Sequence, residues 1–281
     1  MPGSLIVVGT GIRAGIQLTD EARDAIERAD EVLFVVADPI AAGVVRRLNP
    51  RARTLDHLYE PGTERQRTYE AMVEEIMAPV RAGLAVCAAF YGHPGVFGTP
   101  GHAAVRQARA EGYEAVMLPG ISAEDCLFAD LGIDPGTSGC QSYEATHFLS
   151  RRPAVDTDAV LILWQVSVLG RSDAVTEPDL TGLPLLVERL LELYPPDHEV
   201  IAYEASPYPI ADARVHRGPL ASLAASDLPW LTTIVLAPAR PEEVQPAEVQ
   251  LAEAQPAEAP AEARSSTART PAAATTLPFA E

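Results

Sequence analysis

Positive charge is scarce in this chain. Its 281 residues hold 21 Lys and Arg against 39 Asp and Glu, a net charge of −18 at pH 7. A phosphate backbone needs a basic face, so nucleic acid is excluded as a partner. Cysteine is scarce too. Cys87, Cys126 and Cys140 are odd in number and widely spaced, which fits neither a disulfide framework nor a metal-ligand spacing and suits a reducing cytoplasm. No apolar run reaches the ~18–20 residues of a membrane-spanning helix, so no membrane partner is expected. The opening MPGSLIVVGTGI lacks the basic segment and long apolar stretch of a secretory signal. The six histidines (57, 93, 102, 147, 198 and 216) show no i, i+4 pairing for a metal, and no serine stands in a nucleophile elbow.

What is present is an apolar content of 47%, enough for a sizeable core, arranged as alternating strand and helix patterns. SLIVVG (4–9) is a short apolar run ending in glycine, as a buried parallel strand does. A helix follows, with Thr19 as its N-cap and two acids in its first turn. EVLFVVAD (31–38) is the next strand, closed by Asp38. A helix over 65–83 carries Tyr69, Met72, Ile76 and Val80 at helical spacing and stops at Gly83. LAVCAAF (84–90) is a strand, 101–112 a helix and YEAVMLPG (113–120) a strand. The segment 122–132 is a helix whose Ser122 and Asp125 resemble a capping box. This rhythm predicts an α/β fold with a mainly parallel sheet covered by helices. The second half alternates less regularly: strands over 159–166, 199–206, 213–218 and 230–238, and a helix over 183–194 with proline in its first turn. We place a first α/β lobe at 1–118 and a second at 119–240. Residues 241–281 are an Ala/Glu/Pro-rich run with seven Glu, no Asp and one aromatic. Such a run cannot bury enough surface to offset its ordering entropy and is expected to be disordered.

Ligands of parallel α/β sheets lie beyond the carboxyl ends of the strands, and four loops qualify. GTGIRAG places Gly9, Gly11 and Ala14 in a dinucleotide-like spacing, but the best N-cap, Thr19, comes several residues too late, and Asp38 is ~30 residues beyond Gly9 rather than ~20. FYGHPGVFGTP (90–100) holds three glycines that expose bare backbone and two prolines that stiffen it. PGISAED offers a helix N-terminus with free N–H groups and a hydroxyl. LTTIVLAP is read as a strand with one threonine hydroxyl on each face. Together they predict a cleft for an elongated polar ligand.

The loops GTGI, YGHPGVFGTP, LPGISAEDCLFADLGIDP and LTTI resemble those of the tetrapyrrole (corrin/porphyrin) methylase superfamily. The YGHPGVF version, with GCQSYEA downstream, looks like the borosin group, which N-methylates backbone amides of ribosomally made peptides. The likeness covers roughly residues 4–240. It implies two α/β lobes with S-adenosylmethionine in the cleft between them and S-adenosylhomocysteine as product. It implies that Tyr91, His93, Val96, Ser122, Ala123, Gln165, Ala205, Thr232 and Thr233 line the methyl-donor pocket beside Trp164. The catalytic set it implies is Tyr59, Arg65, Tyr69 and Tyr91. On pattern alone Tyr69 belongs to the apolar face of its helix, and Arg65 is a solvated helix-start residue at the end the dipole disfavours for cations.

The implied chemistry sets clear demands. An amide nitrogen is a poor nucleophile because its lone pair is delocalised into the carbonyl. Hydrogen-bond donors aimed at the amide oxygen, from Arg65 or a tyrosine, stabilise the imidate-like state. A tyrosine beside Arg65 is expected to have a lowered pKa and to serve as base, which leaves Tyr59 and Tyr69 both open. Tyr91 would orient the donor methyl. Fungal borosin enzymes carry a further helical domain and a hydrophobic core peptide at their C-terminus, which the sequence after Pro238 does not resemble. A separate precursor peptide is therefore the expected substrate. Self-methylation of the tail around AAATTLPFAE, threaded into the partner of a homodimer, is the alternative, and tetrapyrrole C-methylation the runner-up chemistry.

Overall fold

The computed structural model describes residues 2–13, 15–36, 38–60, 62–173 and 177–239. The tail 241–281, expected to be disordered, and Ala14 of the dinucleotide-like spacing lie outside the described residues.

The first half is a parallel sheet wound by helices. Strand β1 (Ser4–Gly9) leads to helix α1 (Asp20–Arg28), which Thr19 caps by accepting a hydrogen bond from the Ala22 N–H. Its buried face is Ala22, Ala25 and Ile26. Strand β2 (Glu31–Val35) stops short of Asp38. Instead of closing a strand, Asp38 caps helix α2 (Pro39–Leu48), taking hydrogen bonds from the N–H groups of Ile40 and Ala41. The physical reason is Pro39, whose fixed φ and missing N–H suit the first helical position. After the two-residue β3 (Arg53–Thr54) and a 3₁₀ turn at Asp56–Leu58 comes α3 (Arg65–Arg81). It buries Met72, Ile76, Met77 and Val80. β4 (Ala85–Phe90), α4 (Thr99–Ala110) and β5 (Glu114–Met117) complete the unit. The strand order is β3-β2-β4-β1-β5, and every pairing is parallel. Apolar layers cover both faces: Met72, Ile76 and Val105 on one, Ile26, Phe34 and Val45 on the other.

The second half departs from the predicted parallel pattern. Helices α5 (Ala123–Leu131) and α6 (Pro135–Ser138) precede β6 (Cys140–Glu144), α7 (Ala145–Arg151) and β7 (Val160–Trp164). A 3₁₀ turn (Val166–Val168) and α8 (Leu183–Leu191) lead to β8 (Glu199–Glu204), β9 (Arg214–Pro219) and β10 (Thr233–Leu236). The order is β6-β7-β10-β8-β9. Only β6–β7 is parallel, and β10 runs antiparallel to both β7 and β8. The cause lies in the connections. Parallel neighbours need a long crossover, and β8, β9 and β10 are joined by loops and the short 3₁₀ turn Leu220–Ala225 alone.

The strands of the first sheet fall within 4–117 and those of the second within 140–236. A lobe boundary at residue 118 remains our proposal on that topology. A shared apolar cluster joins the halves: Ile12 from the loop after β1, Leu127 from α5, and Ile162, Trp164, Tyr203 and Val235 from the second sheet, with Tyr91 packed against it.

Candidate active site

One cavity of about 310 Å³ lies where the first-sheet loops meet the second sheet. The first wall is the pair of loops after β1 and β4. Gly11 and Gly92 exchange backbone hydrogen bonds at 3.1 and 3.2 Å, stitching the loops together. Gly92 has φ +70°, and a side chain at Gly9 would put its Cβ 2.2 Å from the Gly92 carbonyl oxygen, so neither position accepts a larger residue without a shift. His93 shapes the same loop by accepting a hydrogen bond from the Gly95 N–H through Nδ1 at 2.9 Å. Tyr91, His93 and Val96 line the cavity.

The second wall is the start of α5. The predicted capping box is present: the Ser122 hydroxyl accepts from the Asp125 N–H and the Asp125 carboxylate accepts from the Ser122 N–H. The same hydroxyl donates to Asp125 Oδ2 at 2.7 Å. It is therefore committed to the cap rather than free, which corrects the expectation of an available hydroxyl here. Ser122 and Ala123 still line the cavity.

The third wall comes from the second sheet. Because β10 is antiparallel to β7 and β8, its N-terminal end lies beside their C-terminal ends. That places Thr232 and Thr233 next to Trp164, Gln165 and Ala205, and all five line the cavity. The expectation of one threonine on each strand face fails because Thr232 precedes the strand, which begins at Thr233. Both threonines are buried. Among the described residues, neither their hydroxyls nor the Gln165 amide makes a side-chain hydrogen bond within the protein, so three polar groups keep their bonding capacity for a ligand. Trp164 is held by its indole N–H donating to Ser142 Oγ at 2.8 Å.

The fourth wall carries Tyr59, Arg65 and Tyr69. Arg65 opens α3, and Tyr69 follows one turn later. Tyr69 also packs on the core of the first half, in keeping with its pattern-based reading as a core residue, and it lines the cavity as well. The electrostatics overturn one expectation. Arg65 does pull the tyrosine pKa values down, but burial outweighs it. Loss of solvent, helped by Tyr69 and Asp56, pushes Tyr59 up to about 12. Burial raises Tyr69 against the same Arg65 charge, and raises Tyr91 further. All three are neutral hydroxyls near pH 7.

All thirteen residues singled out from the sequence, Trp164 included, thus border one cavity. The sequence reading missed Phe97, Glu124, Val168, Asp173, Trp230 and Leu231, which line it too. Phe97 belongs to a loop already singled out. Its left-handed φ of 51° and its tilted contact with Trp164, 5.9 Å between ring centres, are tertiary features. Asp173 carried no sequence signal.

Among the described residues no helix is long and apolar enough to cross a membrane. Residues 4–224 match the family model described as Tetrapyrrole (Corrin/Porphyrin) Methylases. The chain is 47% identical over 75% of its length to a methyltransferase/ribosomally synthesized cyclic peptide dendrothelin A precursor of Dendrothele bispora, of which it covers 51%. It is 44% identical over 75% of its length to the corresponding omphalotin A precursor of Omphalotus olearius, again covering 51%. A type I borosin precursor of Coprinopsis marcescibilis is 41% identical over 85% of this chain and 63% of that protein. The chain spans about half the length of most of these relatives. Among solved structures, uroporphyrin-III-C-methyltransferase from Thermus thermophilus superposes with a TM-score of 0.62 at 21% identity, over 85% of this chain and 94% of that one. A cobalt precorrin-4 methyltransferase of cobalamin biosynthesis gives 0.58 at 16%, over 85% and 96%. At those identities the likeness is one of fold. With the matched span running from β1 into the 3₁₀ turn before β10, the chain belongs to the tetrapyrrole (corrin/porphyrin) methylase family.

Proposed function

We propose that this protein is an S-adenosylmethionine-dependent methyltransferase that N-methylates backbone amides of a ribosomally made peptide, working as a homodimer in a reducing cytoplasm. The observation that carries the reading is that the candidate residues converge on one cavity. Tyr59, Arg65 and Tyr69 border it together with a ligand wall whose Thr232, Thr233 and Gln165 polar groups have no other partner among the described residues. The names of the most similar relatives, each a methyltransferase joined to a cyclic-peptide precursor, support a peptide as acceptor.

The residues suit the donor. Bare backbone at Gly92, the α5 N-terminus at Ser122 and Ala123, and the Thr232, Thr233 and Gln165 side chains would hold its polar groups. Val96, Ala205 and Trp164 would supply apolar contact. When bound, the donor offers a methyl group on an electron-poor sulfonium. The rest of the work falls on the acceptor amide. In this reading the Arg65 guanidinium donates to the amide oxygen and favours the imidate-like form, since charge-assisted bonds in a water-poor site are strong. The neutral Tyr59 and Tyr69 hydroxyls add donors there, and Tyr91 fixes the approach of the methyl group. Alignment in such a site contributes about 7–11 kcal/mol. The amide gains a methyl and releases one proton. Tyr59 or Tyr69 takes it only as tyrosinate, so turnover should rise with pH above neutrality rather than level off.

Intact-mass measurement tests the proposal. The purified chain is incubated with S-adenosylmethionine, alone and with a precursor peptide bearing a hydrophobic segment. Added methyl groups on peptide backbone nitrogens support the reading. Increments on the chain alone make the tail 241–281 the acceptor. Methyl groups appearing on a tetrapyrrole and on no peptide would overturn it.

A further inference from the structure

The glycine spacing after β1 resembles a dinucleotide loop, in which N–H groups following the second glycine receive a pyrophosphate. Here those groups are already taken. Gln17 Oε1 accepts from the Ile12 N–H at 3.0 Å and from the Arg13 N–H at 2.8 Å. The chain brings Gln17 there by turning back on itself: the Gln17 N–H donates to the Arg13 carbonyl at 3.2 Å. Gly11 makes room for it. Its φ is +70°, and a Cβ added there would stand 2.5 Å from the Gln17 Cβ, so a larger residue is excluded on both counts. The Gln17 carbonyl takes the bonds that a phosphate oxygen would otherwise take, and the loop is filled from within.

Those two donors also fix which way the side-chain amide faces. An NH₂ group in their path would meet N–H against N–H, so Oε1 stays with the loop and Nε2 is left for another partner. That partner is Cys126, whose Sγ lies 3.4 Å from Nε2 and 3.8 Å from Oε1. Cys126 belongs to α5 and is buried in the same apolar cluster as Ile12. Gln17 therefore ties together two segments that border the cavity. Ile12 lines it, as does Gly92, which is bonded to Gly11. Ser122 and Ala123 line it from the start of α5. Gln17 itself stands outside the lining, so it acts on a ligand only through these neighbours.

We propose that Gln17 is a positioning residue for the methyl-donor end of the cavity: it fills the loop after β1 and holds that loop against α5, shaping the wall for a nucleoside that carries no phosphate. The binding part rests on the donor named under Proposed function; the bonding pattern does not. Two measurements separate them. The first is amide hydrogen exchange in the ligand-free protein. Gln17→Met keeps the length of the side chain and removes its hydrogen bonds, so the Ile12 and Arg13 amides should exchange at least tenfold faster. Gln17→Glu restores the acceptor and should return both to the parental rate. The second is calorimetry with S-adenosylmethionine, set beside single-turnover transfer at saturating donor. The Met variant should raise the Kd about fivefold or more, the size expected when the wall loses one or two neutral hydrogen bonds, with its saturated rate unchanged. The Glu variant should bind within about threefold of the parent. Cys126→Val, which removes the sulfur, should raise the Kd about two- to threefold while both amides stay slow. Parental exchange or a parental Kd in the Met variant overturns the proposal. So does a Glu variant as weak as the Met variant, a saturated rate that falls in step with affinity, or a Cys126→Val chain that binds as the parent does. Exchange as expected in a chain that binds no S-adenosylmethionine would uphold the positioning of the loop and discard the reading of the donor.

Discussion

The two sheets face one cavity but are built by opposite rules. The first is wholly parallel, each strand followed by a helix or turn that carries the chain back across a face. Its loops after β1 and β4 therefore emerge at one rim, as the parallel rule demands. The second has one parallel pairing, and reaches the same rim with strands running both ways: β7 and β8 leave there and β10 enters. What matters for a site is which strand ends share a rim, not whether the sheet is parallel. The division of labour follows. The first half brings the hydrogen-bonding and titratable groups, Tyr59, Arg65, Tyr69 and Tyr91. The second brings hydroxyls and an amide without side-chain partners among the described residues, Trp164, and the loop at Ser172 and Asp173 bridged by its backbone to the start of α3.

The comparison can be broken at the seam. Leu127 is fully buried in the cluster shared by both halves. Leu127→Ala should cost about 2–5 kcal/mol, read as a lower urea midpoint in one cooperative transition. Two separated transitions would mean that the halves fold as independent units. The division of labour can be sharpened next. Arg65→Ala should lower methyl transfer by about 10²–10³-fold, as removal of an oxyanion donor does, with the Kd for S-adenosylmethionine unchanged. Tyr69→Phe should fall in the same direction. Thr233→Val should do the opposite, weakening S-adenosylmethionine binding by up to about tenfold, the worth of one hydrogen bond, at near-normal saturated turnover. Calorimetry and single-turnover kinetics read both, and similar profiles for the two variants would erase the distinction.

The smallest effect is shared by both halves. Burial raises the pKa of Tyr59, Tyr69 and Tyr91 in the first and of Tyr194 and Tyr203 in the second. Above pH ~10 the unfolded chain loses these protons first, so it binds fewer than the native state and stability falls as pH rises. The contribution should be complete below pH ~10 and decline toward about 12, where Tyr59 titrates in the native protein. Melting temperature against pH would show it. A flat curve from 9 to 11.5 would mean that these phenols are not shielded.

Legibility followed the range of the interactions. Thr19, the Ser122–Asp125 box and the Tyr69-to-Val80 stripe were readable because caps and stripes involve residues three or four apart. Asp38 was misread because a strand end and a helix cap look alike until Pro39 is seen to open α2. The tyrosine pKa values went the wrong way because the charge of Arg65 is visible in sequence and the loss of water around a phenol is not.

By itself, the sequence determined many of the strands and helices, though not the helices at 39–48 and 145–151 or the strand at 140–144, and which glycine-rich loops expose their backbone, since these depend on local sterics, capping and hydrophobic period. It also carried the residues that mark the family. Only the tertiary structure decided that β10 runs against its neighbours and delivers Thr232 and Thr233 to the rim, that burial outweighs charge at the tyrosines, and that Ser172 and Asp173 brace the helix bearing Arg65. Each is a contact between segments far apart in the chain, set by packing that no local pattern encodes.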